Sequence, residues 1–164
     1  MIPWPFYKKR VLFVCLANIC RSPLAEALLR QALKEVGLSR VVQVDSAAIE
    51  NWCVGQQMHQ KLQECLANDH IAPRPHFSRL LKPQDGERFD YVIGMDQAIT
   101  RAIQLRIDDQ KQAHTYLFSQ FQGKTFDIID PMQTKDFPRT YREIKAGIPA
   151  IIHRLQQDLN STEE

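Results

Sequence analysis

A chain of 164 residues with 44% apolar side chains is long enough to bury one core and too short for two comfortable domains, and its dispersed charges exclude a disordered or low-complexity protein. A net charge of +2 is too mild to indicate a nucleic-acid partner, and no run of about 18 apolar residues is present to span a membrane. The stretch from Met1 to Arg10 lacks an apolar signal core and holds Pro3 and Pro5, so a cytoplasmic location is expected. There Cys15, Cys20, Cys53 and Cys65 are expected as thiols, and their spacing supplies no zinc signature.

Taken in order, residues 1–9 are expected as an extension to a single domain spanning 1–164. Val11–Val14 is an apolar run ended by Cys15, which predicts a buried strand. Leu24, Leu28, Leu29, Leu33 and Val36 then repeat at helical spacing, with Ser22-Pro23 at the start and Gly37 as a left-handed stop. Further strands are predicted at Val41–Val44, Tyr91–Ile93 and Thr115–Phe118, and helices at Gln56–Leu66 and Gln97–Arg106. A final stripe of Tyr141, Ile144, Ile148, Ile151, Leu155 and Leu159 predicts an amphipathic helix that Pro149 should kink or split. The alternation predicts an α/β fold, a four-stranded, mainly parallel sheet with helices on both faces and a crevice at the carboxyl ends of the strands.

Cys15 and Arg21 enclose Leu16, Ala17, Asn18, Ile19 and Cys20, and Ser22 follows. With four cysteines and twelve arginines such a pairing arises by chance roughly 0.3 times, so its context decides. A loop of this length between a strand and a helix N-terminus can turn its N–H groups inward as a nest for an oxyanion such as phosphate. The same amides stabilise a thiolate on Cys15, Ser22 can donate to that sulfur, and Arg21 offers a planar fork for two phosphate oxygens. Asp130 stands among Asp127 and Asp136 as a candidate acid, while His76 and Trp52 taken alone read equally well as loop and packing residues.

In these residues, from Val11 to Ala27, the chain resembles the signature of the low-molecular-weight protein-tyrosine phosphatases. Asp45-Ser46-Ala47-Ala48, Trp52 with Val54-Gly55, His76 to Arg79, Phe89-Asp90, Met95-Asp96 and Asp130-Pro131 follow in that family's order. The resemblance implies a phosphate-binding loop after the first strand, attack of Cys15 on phosphorus, phosphate binding by Arg21, and Asp130 as acid and then base. It also implies support of the loop by Asn18, Ser22, Ser46 and His76, a substrate wall at Trp52, no cofactor, and a reversible Cys15–Cys20 redox switch. Expected substrates are phosphotyrosine-containing proteins or small aryl phosphates, acted on by a monomer or weak dimer.

The resemblance thins at Ala17, where many members carry glycine, and at Met132-Gln133, where many place aromatic residues. An arsenate reductase on the same fold would need resolving cysteines on a later segment, and none follows Cys65. A silent phosphate-binding module has no need of the nucleophile, and a dithiol redox protein leaves Arg21 unexplained.

Overall fold

The computed structural model describes residues 6–107 and 114–162. Its strands are β1 (Lys9–Cys15), β2 (Val42–Ala48), β3 (Tyr91–Gly94) and β4 (His114–Leu117). They form one sheet in the order β2-β1-β3-β4, and every pairing is parallel. The helices are α1 (Arg21–Glu35), α2 (Gln60–Asn68), α3 (Asp85–Arg88), α4 (Gln97–Arg106), α5 (Pro131–Thr134) and α6 (Phe137–Thr162), with a 3-10 turn at Phe118–Gln122.

β1 is central because it is apolar on both sides. Val11, Leu12, Phe13 and Val14 are fully buried, and each such side chain contributes about 1.5–3 kcal/mol when removed from water. The alternation of a strand divides them between two cores. Val11 and Phe13 pack with α1, α2 and α6, whereas Leu12 and Val14 pack with Phe89, Ile99 and Ile103 on the other face. Since the chain leaves β1 for β2 on one side and β3 lies on the other, the end of β1 is a topological switch point, where crevices open in such sheets.

Element limits follow local chemistry. α1 ends in a Schellman motif: Leu38 N–H reaches Leu33 O (2.8 Å) and Gly37 N–H reaches Lys34 O (3.3 Å), with Gly37 at φ +76°, as the sequence predicts. β2 extends to Ala48, beyond the expected apolar run, because the small residues Ser46, Ala47 and Ala48 are also buried. α2 starts at Gln60 instead of Gln56. Residues 56–59 are drawn out into other bonds, with Gln56 O accepting from Ser78 N, His59 N donating to Ile19 O, and the His59 ring capping the helix at Lys61 N.

β4 covers His114–Leu117 and Phe118 already belongs to the 3-10 turn, one residue off the expected span. α6 runs unbroken through Pro149, so the expected split does not occur. Pro149 lies on the exposed face, and Lys145, whose carbonyl loses its helical donor, is exposed as well. Tyr141, Ile144, Ile148, Ile151, Leu155 and Leu159 are all buried, and the helix begins four residues before Tyr141 because Asp136 caps it through Arg139 N (3.1 Å). No helix among the described residues is long and apolar enough to cross a membrane.

Candidate active site

The loop from Cys15 to Arg21 is held from outside by its carbonyls. Cys15 O accepts from Ile49 N (3.0 Å), Leu16 O from Glu50 N (2.9 Å), Ile19 O from His59 N (2.8 Å) and Cys20 O from Leu24 N (3.2 Å). Ala17 O accepts from Ser78 Oγ at 2.8 Å, and Asn18 O from His76 Nε2 at 2.8 Å, which fixes the His76 proton on Nε2. With each carbonyl of residues 15–20 tied away from the centre, the peptide planes present their N–H groups to the concave side, the geometry of an anion nest. The left-handed residue this turn requires is Asn18, at φ 59°, a residue type that tolerates it. Ala17 has no positive φ, so alanine in place of glycine is not strained there.

The sulfur of Cys15 faces this concavity with two donors on it. Ser22 Oγ lies 3.0 Å away and Ser22 N–H 3.4 Å away. Asn18 Nδ2 donates to Ser22 Oγ at 2.7 Å, which occupies an acceptor site and leaves the hydroxyl proton to point at sulfur. Asn18 Oδ1 in turn accepts from Arg79 N at 3.1 Å. The chain Arg79, Asn18, Ser22, Cys15 therefore runs donor to acceptor and ends on the sulfur, and cooperative polarisation strengthens such a chain in a buried site.

Arg21 is 2% exposed, and its Nη1 is tethered from behind by Asp96 Oδ2 (2.7 Å) and Ile128 O (2.7 Å). Its other edge is left facing the cleft, with Nη2 3.8 Å from Asp130 Oδ2. Burial alone would lower the guanidinium pKa, but the Cys15, Asp96 and Asp130 charges outweigh it and raise it. Asp96 serves two elements, since its Oδ1 caps α4 at Ile99 N (2.7 Å). We expect Asp96→Asn to keep that cap, weaken the hold on Arg21, and lower kcat/KM by about tenfold, the worth of one charge-assisted hydrogen bond. Steady-state kinetics at unchanged thermal stability check this.

A cleft of about 190 Å³ is lined by the loop residues 15–21, Trp52, Cys53, Asp130 and Met132. Asp130 caps α5 through Oδ1, which accepts from Met132 N at 2.9 Å, so Oδ2, 3.8 Å from Arg21 Nη2, is the oxygen left without a hydrogen bond. The two competing aspartates are spent elsewhere: Asp127 accepts from Gln97 N (2.9 Å) and Asp136 caps α6. Trp52 is 67% exposed and Met132 42%, so the cleft has an indole wall and a thioether wall. The Ser46 hydroxyl is directed to Glu26 Oε1, to which it donates at 2.7 Å, and Glu26 pairs with Arg30 at 2.7 Å. Burial pushes the Glu26 carboxyl up against the opposing pull of Arg30 and Ser46.

Besides Asp96 and the Ile128 carbonyl, which hold Arg21, further residues that the sequence does not single out support the loop. Ser78 and the backbone of His59 hold loop carbonyls, and Arg79, whose amide sets Asn18, is itself locked by Asp45 (3.1 Å) and Asp85 (3.0 Å). Ser78 and Arg79 fall inside the His76 to Arg79 segment that follows the family order, whereas His59 carries no such signal. Cys20, 4% exposed, has its thiol pushed up to about 12, by burial first and then by the negative charges of Cys15 and Asp130.

Comparison with known proteins accords with this geometry. A sequence model described as low molecular weight phosphotyrosine protein phosphatase matches residues 10–161. The protein named low molecular weight protein-tyrosine-phosphatase PtpA from Staphylococcus epidermidis is 34% identical over 154 residues, 93% of this chain and 97% of its own. YfkJ of Bacillus subtilis, which carries the same family name, is 32% identical over 150 residues, 90% of this chain and 96% of its own. The YfkJ crystal structure superposes with a TM-score of 0.86, covering 92% of this chain and 96% of that one. On these matches the chain belongs to the low-molecular-weight protein-tyrosine phosphatase family.

Proposed function

We propose that Cys15, Arg21 and Asp130 hydrolyse phosphotyrosine side chains and small aryl phosphates in two displacements at phosphorus. The observation that carries this reading is the outward tethering of all six carbonyls of residues 15–20, which leaves a cationic, amide-lined bowl with a nucleophilic sulfur at its floor.

A phosphate monoester enters with its nonbridging oxygens on the loop amides and on the free edge of Arg21. The S–P bond forms as the bond to the leaving oxygen breaks, and Asp130 Oδ2 gives its proton to that oxygen. Water then attacks the cysteinyl-phosphate, its proton passing to the Asp130 carboxylate, and the S–P bond breaks to return the thiolate and release inorganic phosphate. One residue serves as acid and base in turn because the second step reverses the first. Charge growing on the equatorial oxygens meets dipoles that are already oriented, which is the largest source of rate enhancement in such sites.

Trp52 and Met132 bracket the leaving group, and both favour an aromatic ring, by stacking and by sulfur–aromatic contact. kcat/KM measured on phosphotyrosine and phosphoserine peptides of one sequence tests the substrate class. Preference for phosphotyrosine by at least about tenfold is expected from one aromatic contact, and equal rates would reject an aryl-selective cleft.

The same cleft supports the Cys15–Cys20 switch. Peroxide oxidises the Cys15 thiolate to a sulfenic acid with release of hydroxide. Cys20 then displaces the sulfenic oxygen, which leaves as water, and the disulfide forms. Wild-type activity lost to mild peroxide is expected to return with dithiothreitol, and Cys20→Ser is expected to lose it irreversibly; equal recovery of the two would eliminate the switch.

A further inference from the structure

We infer that the Arg79 side chain is a positioning residue for the nucleophile: clamped between Asp45 and Asp85, it places the backbone amide that orients Asn18 and so keeps the Ser22 proton on the Cys15 sulfur. This deepens the phosphatase reading above and rests on it.

Asn18 is fully buried, and the two ends of its amide are nearly alike in shape, so its neighbours decide which end faces Ser22. With Nδ2 there, 2.7 Å from Ser22 Oγ, the hydroxyl accepts from Asn18 and its proton goes to Cys15 Sγ, 3.0 Å away. With Oδ1 there, the hydroxyl proton would turn to the amide oxygen and leave the sulfur. The Arg79 N–H settles the choice, because it lies 3.1 Å from Oδ1 and can only donate.

The placement of that amide depends on the side chain that follows it. The backbone of this segment meets β2 in a single bridge, Ala48 with Leu80, through Ala48 N to Arg79 O (2.8 Å) and Leu81 N to Ala48 O (2.7 Å). The guanidinium adds bonds in two further directions. Nε and Nη2 donate to Asp45 Oδ2 at 3.3 and 3.1 Å, and Nη1 and Nη2 donate to Asp85 Oδ2 and Oδ1 at 3.0 and 3.3 Å. Both carboxylates are anchored in turn, Asp45 by Ser46 N (2.8 Å) and the buried Asp85 by Lys82 N (2.8 Å). Asp45 lies on β2 opposite Leu12 of β1, so the clamp fixes the Arg79 amide relative to the strand that delivers Cys15. A planar fork can serve two carboxylates at once, which a lysine ammonium does not reproduce.

The test compares wild type with Arg79→Lys and Asp45→Asn in the rate of Cys15 alkylation by iodoacetamide at pH 6, read by mass spectrometry, with phosphate affinity and p-nitrophenyl phosphate kinetics alongside. Arg79→Lys keeps the charge and loses the fork. Asp45→Asn, at a side chain 38% exposed, removes a negative charge and leaves one oxygen where two are in use. Of the groups that line the cleft with the sulfur, Arg21, Cys20, Cys53 and Asp130 are charged or titratable, and neither variant alters them. Both variants are expected to alkylate about tenfold more slowly than wild type, the effect of one hydrogen bond to a charged group, with phosphate affinity within about twofold. A through-space effect of charge predicts the opposite pattern, Arg79→Lys unchanged and Asp45→Asn faster, and either of those results would overturn the inference. Loss of phosphate affinity in step with alkylation would also overturn it, since the clamp would then support the whole loop and not the sulfur. Absence of p-nitrophenyl phosphate turnover by wild type, with alkylation slowed as expected in both variants, would instead bring down the phosphatase reading and leave the clamp standing.

Discussion

Cys15→Ser is expected to abolish turnover, lowering kcat by about 10⁴-fold or more, as loss of an activated nucleophile does. The loop is built to stabilise a negative charge on sulfur, with two donors from Ser22 and the start of α1 beneath it. A serine hydroxyl at that position stays protonated near neutral pH and finds no base in contact to activate it. Phosphate affinity should survive, because the amides and Arg21 are untouched. Initial rates with p-nitrophenyl phosphate, together with phosphate binding by calorimetry, check both halves. A variant that bound phosphate and still turned over at a few per cent of wild type would remove Cys15 from the role of nucleophile.

Asp130→Asn is expected to lower kcat by about 10²–10³-fold, the usual range for a lost general acid. Asparagine keeps the α5 cap at Met132 N, so stability should hold, whereas Asp130→Ala should also cost about 1 kcal/mol of stability through the lost cap. The deficit should depend on the leaving group. Tyrosine leaves as a phenol of pKa about 10 and needs the proton, while the far more acidic p-nitrophenol departs more easily without it. A larger loss on phosphotyrosine than on p-nitrophenyl phosphate is therefore predicted, and identical losses on both would show that Asp130 does not protonate the leaving oxygen.

Much of the fold is written in patterns of short range. Val11–Val14 is continuously apolar because it is covered on both faces, and the stripe from Tyr141 to Leu159 identifies α6 because one face is buried. What escaped were features set by contacts distant in sequence. The late start of α2 is decided by bonds from residues 56–59 to Ile19 and Ser78, about 40 and 20 residues away, and periodicity carries no trace of them. The continuity of α6 through Pro149 depends on which face the proline occupies.

The site divides the same way. Cys15, Arg21 and Ser22 are adjacent in sequence and were legible as a loop with a chemical purpose. Asp130 was separable from Asp127 and Asp136 only through family resemblance, and the structure supplies the physical distinction: those two cap other helices and do not line the cleft. Asp96 lay within a segment already noted, yet its hold on Arg21 joins residues 75 positions apart. Ser46 shows the converse, since its place in the family order gives no hint that its bond goes to Glu26.

The most direct test of the account is to quench Asp130→Asn, during turnover of an activated aryl phosphate, and to map the phosphorylated peptide by mass spectrometry. The enzyme should carry one phosphoryl group on Cys15, because the missing base slows hydrolysis of the intermediate, and Cys15→Ser should carry none. A phosphoryl group on another residue, or turnover with none trapped on Cys15 at any quench time, would contradict the cysteinyl-phosphate mechanism.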